Sequence, residues 1–85
     1  MKSIFDSKSK AVAGNIRKIR EFRNYTQEYL AARLEISQNA YSKMELGYSN
    51  ITLGRLMYIS EILDVDLATL MAIDGDVVQM KTSSL

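Results

Sequence analysis

The chain of 85 residues has no cysteine, no histidine and no proline. Without cysteine there is no disulfide framework, no thiol nucleophile and no zinc site built on Cys pairs. Without histidine the chain lacks the side chain that most often acts as a general base at neutral pH, and also the commonest metal ligand. A hydrolase or a metalloenzyme loses most of its parts, so neither an enzyme nor a bound metal or cofactor is expected. Polar residues break every apolar stretch after a few positions, which excludes a membrane span, and the first residues form no apolar run of the signal-peptide kind. The expected location is the cytoplasm. The four glycines are single, at 14, 47, 54 and 75, so nothing marks a flexible linker.

What is present fits one folded domain. An apolar content of 47% with 25% charged residues is that of an ordinary globular chain, and the length leaves room for a single core. The net charge is only +1, but it is unevenly placed. Residues 1–24 carry Lys2, Lys8, Lys10, Arg17, Lys18, Arg20 and Arg23 against Asp6 and Glu21. Residues 51–85 carry Arg55 and Lys81 against Glu61, Asp64, Asp66, Asp74 and Asp76. Two readings of this asymmetry stand: a basic functional face near the N-terminus, or a solvated helix face with an unstructured tail.

Apolar periodicity gives short helices with tight joints. Val12, Ile16 and Ile19 recur at helical spacing within 11–23, and Asn24 is a suitable left-handed terminator. Thr26 can cap a second helix with the stripe Tyr29, Leu30 and Leu34. After a break at Glu35 and Ile36, Ser37 can cap a third helix from Gln38 to about Leu46, ended by Gly47. Thr52 caps a fourth, with the stripe Leu53, Leu56, Ile59 and Leu63. Asp66 caps a short fifth, with Leu67, Leu70 and Met71 turned inward. The fold expected is all-α with five helices. Residues 1–10 read as an N-terminal arm, 11–73 as the domain and 74–85 as a C-terminal tail in which Val77 and Val78 allow a short strand.

The segment TQEYLAARLEISQNAYSKMELG, from Thr26 to Gly47, is the most specific part of the chain. Two helices separated by so short a joint must cross closely. Ala31 supplies the small residue needed at the crossing, with Ala32 beside it, and Leu30, Leu34, Ile36, Tyr41 and Met44 fill the wedge. This is the layout of a helix-turn-helix, whose second helix exposes its N-terminal residues to the DNA major groove. With Tyr41 and Met44 buried, a rotation of roughly 100° per residue puts Gln38, Asn39, Ser42 and Lys43 together on the outward face. Amide side chains can pair bidentately with adenine, and Lys can donate to guanine acceptors. The free amides and dipole at the start of the second helix suit a phosphate at Thr26 and Gln27.

The stretch resembles the DNA-binding domain of the lambda-repressor-like, Cro/C1-type (Xre) family of bacterial and phage regulators. Members commonly read Thr-Gln-x-x-Leu-Ala, a Gly-hydrophobic-Ser turn and Ser-Lys-x-Glu-x-Gly, where this chain has TQEYLA, EIS and SKMELG. The likeness continues through TLGRLMYISEILDVDLATL and spans residues 12–72. It departs at Glu35, where the family usually has a left-handed Gly, and at Ile51 and Asp64, where Pro and Gly are frequent. A non-Gly residue at position 35 costs ~1 to 2 kcal/mol, so that turn is either strained or reshaped.

The resemblance implies that Gln38 opens the recognition helix and that Gln27 braces it while touching phosphate. Gly47, Tyr48, Ser49 and Asn50 would clamp the DNA backbone again, although Tyr48 could equally fold onto the core. Tyr25, Tyr29 and Tyr58 read as partly buried core residues. Arg20 and Glu45 would form a structural ion pair that holds the recognition helix against the domain. Lys2, Lys8 and Lys10 suit either an arm along the duplex or a free basic terminus. The function implied is a transcriptional regulator, a repressor or autoregulator, that binds double-stranded DNA at a palindromic operator as a homodimer. The same fold also serves antitoxins, with a toxin as protein partner, and controllers of restriction systems. A protein-interaction module without DNA binding is the alternative from another class.

Overall fold

The computed structural model describes residues 4–72, with side chains from residue 8 onward. Five helices make up the described chain: α1 (Ile4–Phe22), α2 (Gln27–Leu34), α3 (Gln38–Glu45), α4 (Leu53–Leu63) and α5 (Leu67–Met71). No strand occurs among the described residues. The tail from residue 74, with the possible strand at Val77 and Val78, lies outside them. At the other end the expectation is corrected. Residues 4–10 are not an arm but the first turns of α1. The basic and hydroxyl residues of that stretch hide the period, and Lys10 lies against the loop glycine Gly47.

Helix starts follow the hydroxyl residues. Thr26, Ser37 and Thr52 each have extended backbone and accept a hydrogen bond from the amide three residues on, at Tyr29, Ala40 and Arg55. Each cap satisfies one of the amides that a helix start leaves without a carbonyl. Asp66 takes the same position before α5, but its side chain makes no capping bond.

Four helix ends share one device. Asn24, Glu35, Gly47 and Asp64 have φ of 63°, 60°, 82° and 58°, the left-handed conformation. At each end two amides turn back to the carbonyls of the last turn: Tyr25 to Arg20 and Asn24 to Glu21, Ile36 to Ala31 and Glu35 to Ala32, Tyr48 to Lys43 and Gly47 to Met44, Val65 to Ser60 and Asp64 to Glu61. This double bond is the Schellman motif, in which the residue after the left-handed one commonly packs back on the helix. Tyr25, Ile36 and Val65 do so and lie half-buried against the core. Tyr48 does not, and is 74% exposed. Glu35 therefore adopts the strained turn in place of reshaping it.

The core is one cluster drawn from all five helices, with Ile16, Ile19, Leu30, Tyr41, Ile59, Leu63 and Leu70 fully buried at its centre. Ala31 is buried in the core on α2, where there is little room for a larger side chain. Four residues expected to be buried or partly buried are displaced outward. Leu53 is 60% exposed, Met71 48% and Tyr29 38%. Each of these three lies in the first or last turn of a short helix. Tyr58, the fourth, is exposed as well.

Helix α1 organises the rest through three polar side chains. Asn15, buried, donates to the carbonyls of Leu70 (2.9 Å) and Ala72 and so satisfies the end of α5. Arg23 donates to the carbonyls of Leu63 (2.9 Å) and Asp64 (3.0 Å) at the end of α4. Arg20 reaches α3. These directional bonds fix the angles at which the outer helices leave a core that apolar contact alone would set loosely.

Candidate nucleic-acid interface

Helix α3 has only eight residues, too few to be stable alone, so its position depends on what grips its inner side. Tyr41, Met44 and Glu45 are buried on that side. Glu45 is the centre of a polar cluster. The Arg20 guanidinium donates to both of its oxygens, Nε to Oε2 at 2.6 Å and Nη2 to Oε1 at 3.2 Å. Gln27 Nε2 donates to Oε1 at 3.1 Å, and the Tyr41 hydroxyl donates to Oε2. Arg20 also donates from Nη1 to the Tyr25 carbonyl at 2.7 Å, which ties the cluster to the joint between α1 and α2. One carboxylate thus joins α1, α2 and α3.

The electrostatics agree with that geometry. Burial works against ionisation of Glu45, but the hydrogen bonds from Arg20, Tyr41 and Gln27 outweigh it and hold its carboxyl below the ordinary value. The hydrogen bond to Glu45 raises Arg20 above its ordinary value, against the effect of desolvation. Burial, together with the bond to Glu45, pushes the Tyr41 hydroxyl up, so it remains a donor. Among the described residues no buried side-chain nitrogen or oxygen lacks a partner.

The outer side of α3 is different. Gln38, Asn39 and Lys43 are exposed and Ser42 is half-buried. Gln38 with Ser42, and Asn39 with Lys43, are four residues apart and so are neighbours on the helix surface. Together they carry a mixed set of donors and acceptors and one positive charge. Thr26 is exposed at the start of α2, with its hydroxyl occupied by the Tyr29 amide at 3.0 Å. Gln27 is half-buried, and its amide nitrogen is directed to Glu45 and not to solvent. Tyr48, Ser49 and Asn50 are exposed in the loop beyond α3, and Gly47 is half-buried. Of the two positions open to Tyr48, the structure has the outward one.

A family model described as helix-turn-helix matches residues 16–70, which covers α2, the joint, α3, α4 and most of α5. The chain belongs to the Cro/C1-type helix-turn-helix family. No curated protein and no solved structure matches the chain. It is a DNA-binding regulator of the helix-turn-helix kind, with α3 in the place of the second helix of the motif. No helix among the described residues is long and apolar enough to cross a membrane.

Two features of this helix-turn-helix escape the sequence reading. Asn15 is buried, although it occupies the same stripe as Val12, Ile16 and Ile19, and that placement was the available signal. Lys10 lies on α1 against Gly47, which only the helical continuation of residues 4–10 makes possible.

Proposed function

We propose that the chain is a repressor or autoregulator that binds a palindromic operator as a dimer, reading bases with Gln38, Asn39, Ser42 and Lys43. The observation that carries this reading is the division of α3 between a buried side held by Glu45 and an outer side of exposed amides and one lysine. Exposed side chains on a fixed helix can meet base edges with little loss of order, because the helix is already positioned. Thr26 and Gln27 at the start of α2, through the backbone amides of that helix end rather than through side chains already engaged, and Gly47 to Asn50 after α3, are the phosphate contacts on either side. Tyr48 supports the second of these. It gives up the inward packing that the equivalent residue takes at three other helix ends, and it stands beside the recognition helix.

Pairing of two copies follows from the small number of base contacts one such helix can make. The surface expected for it is narrower than the apolar residues of the α4 to α5 region suggest. Leu70 is fully buried in the core and contributes nothing to a partner, while Val65 and Leu67 are half-buried and Met71 is exposed. Leu53 and Met57, four residues apart on α4, add a second exposed apolar pair. The test is enrichment of duplexes from a random-sequence pool by the full chain. An enriched inverted repeat, with half-sites roughly 34 to 36 Å or a multiple of that apart, supports the dimeric reading. Enrichment of a single unrepeated site would overturn the dimer, and no enrichment would overturn sequence-specific binding.

A further inference from the structure

We propose that Lys10, on the first half of α1, is a DNA-phosphate contact that acts together with the loop following α3. The proposal rests on the reading of α3 as the recognition helix and extends the interface to an element outside the two helices of the motif.

It starts from the one glycine among the four left-handed helix ends. Asn24, Glu35 and Asp64 show that this fold accepts a side chain at such an end. At Gly47 a side chain has no room. A Cβ there would lie 2.9 Å from Lys10 Cγ and 3.6 Å from both the Cα and the Cβ of Lys10. Contact with Cα means that the backbone of α1, and not merely a passing side chain, rests on the loop. Val12 packs on the core two residues further along α1, and Lys8, Ser9 and Val12 line a small cavity with Ile51 and Leu56 at the start of α4. The first half of α1 is therefore seated against the segment that joins α3 to α4.

The stem of Lys10 passes close over Gly47 at Cβ and Cγ, while the residue as a whole is exposed. From there the rest of the side chain is long enough to bring its ammonium to a phosphate held by Gly47, Tyr48, Ser49 and Asn50, the residues proposed to meet the DNA backbone. A lysine with an anchored stem and a free head brings a compact positive charge to that spot with less entropy to lose than an unanchored one. The backbone amides of a loop offer direction but no net charge, and Lys10 supplies the charge that a phosphate there requires. The basic excess of residues 1–24 then has a local meaning at this position.

The test uses Lys10→Gln, which keeps the stem that packs on Gly47 and removes the charge, and Lys10→Arg, which keeps the charge. Affinity is measured against a duplex enriched by the unmodified chain and against a random-sequence duplex, each over a series of salt concentrations. Lys10→Gln is expected to melt with the parent and to weaken binding to both duplexes by similar factors. It should also reduce the slope of log affinity against log salt by about 0.9, the share of one phosphate contact. Lys10→Arg should keep the parental slope. An unchanged slope in Lys10→Gln, with or without a change in melting, would overturn the assignment of Lys10 while leaving α3 as the reading helix. Failure of the unmodified chain to bind either duplex would instead overturn the reading on which this inference rests.

Discussion

The two sides of α3 have opposite designs within eight residues. Inside, Glu45 accepts from Arg20, Gln27 and Tyr41, and every group has a partner. Outside, Gln38, Asn39 and Lys43 are exposed. A carboxylate taken out of water has to be matched completely, so its partners and its position specify one another. Side chains left in water are constrained by nothing but the helix that carries them, and can change identity without disturbing the fold. The contrast separates folding from recognition on a single short helix. It also explains why a buried ion pair belongs here, where its benefit is orientation more than net stability.

The sharpest way to break the comparison is at the inner side. Arg20→Met leaves Glu45 buried without its main partner and should destabilise the domain by ~3 to 5 kcal/mol, whereas Arg20→Met with Glu45→Leu should cost far less than the sum of the single changes. Urea unfolding of the parent, the two single variants and the double variant checks this, and additive changes would mean that the pair is not coupled. Acid unfolding sharpens the same point. Because the carboxyl of Glu45 is held below its ordinary value, the unfolded chain takes up its proton first as pH falls. The contribution of Glu45 is then complete above about pH 4.3 and is lost as pH drops from there through the lower folded value. The double variant should lose less stability over that acid range than the parent, measured by thermal melting at a series of pH values.

A smaller effect is expected at the joint between the two helices. Glu35 has φ of 60° with no glycine to relieve it. Glu35→Gly should therefore raise stability by about 0.5 to 1 kcal/mol, after the greater freedom of glycine in the unfolded chain is set against the strain. A loss in urea unfolding would show that Glu35 makes a compensating contact.

Local chemistry was readable in the sequence wherever one residue decides the outcome. The hydroxyls of Thr26, Ser37 and Thr52 mark helix starts because each must accept from a particular amide, and Asn24 marks an end because it tolerates a positive φ. The alternation of Tyr41 and Met44 with polar residues was enough to divide α3 into two sides. What the pattern hid depends on which distant element lies opposite. Residues 4–10 continue α1 without a clear apolar stripe, and Lys10 among them lies against a loop glycine that is distant in the sequence. Leu53 and Met71 fit the apolar period but stand exposed at the ends of their helices. Tyr48 has the local geometry that turned three equivalent residues inward, and no nearby residue distinguishes it from them.

The smallest expected change in stability comes from the outer side, and it carries the most direct test of the account. Gln38→Ala and Asn39→Ala should each leave urea unfolding within about 0.5 kcal/mol of the parent, because neither side chain supports the fold. Each should weaken binding to a duplex enriched by the parent by ~1 to 3 kcal/mol, and binding to a random-sequence duplex much less. The measurement is the ratio of the two affinities for parent and variants under one salt condition. The account predicts that this ratio falls in both variants while the fold is unchanged. Equal losses on the two duplexes, or an unchanged ratio, would contradict the claim that the exposed side of α3 reads DNA.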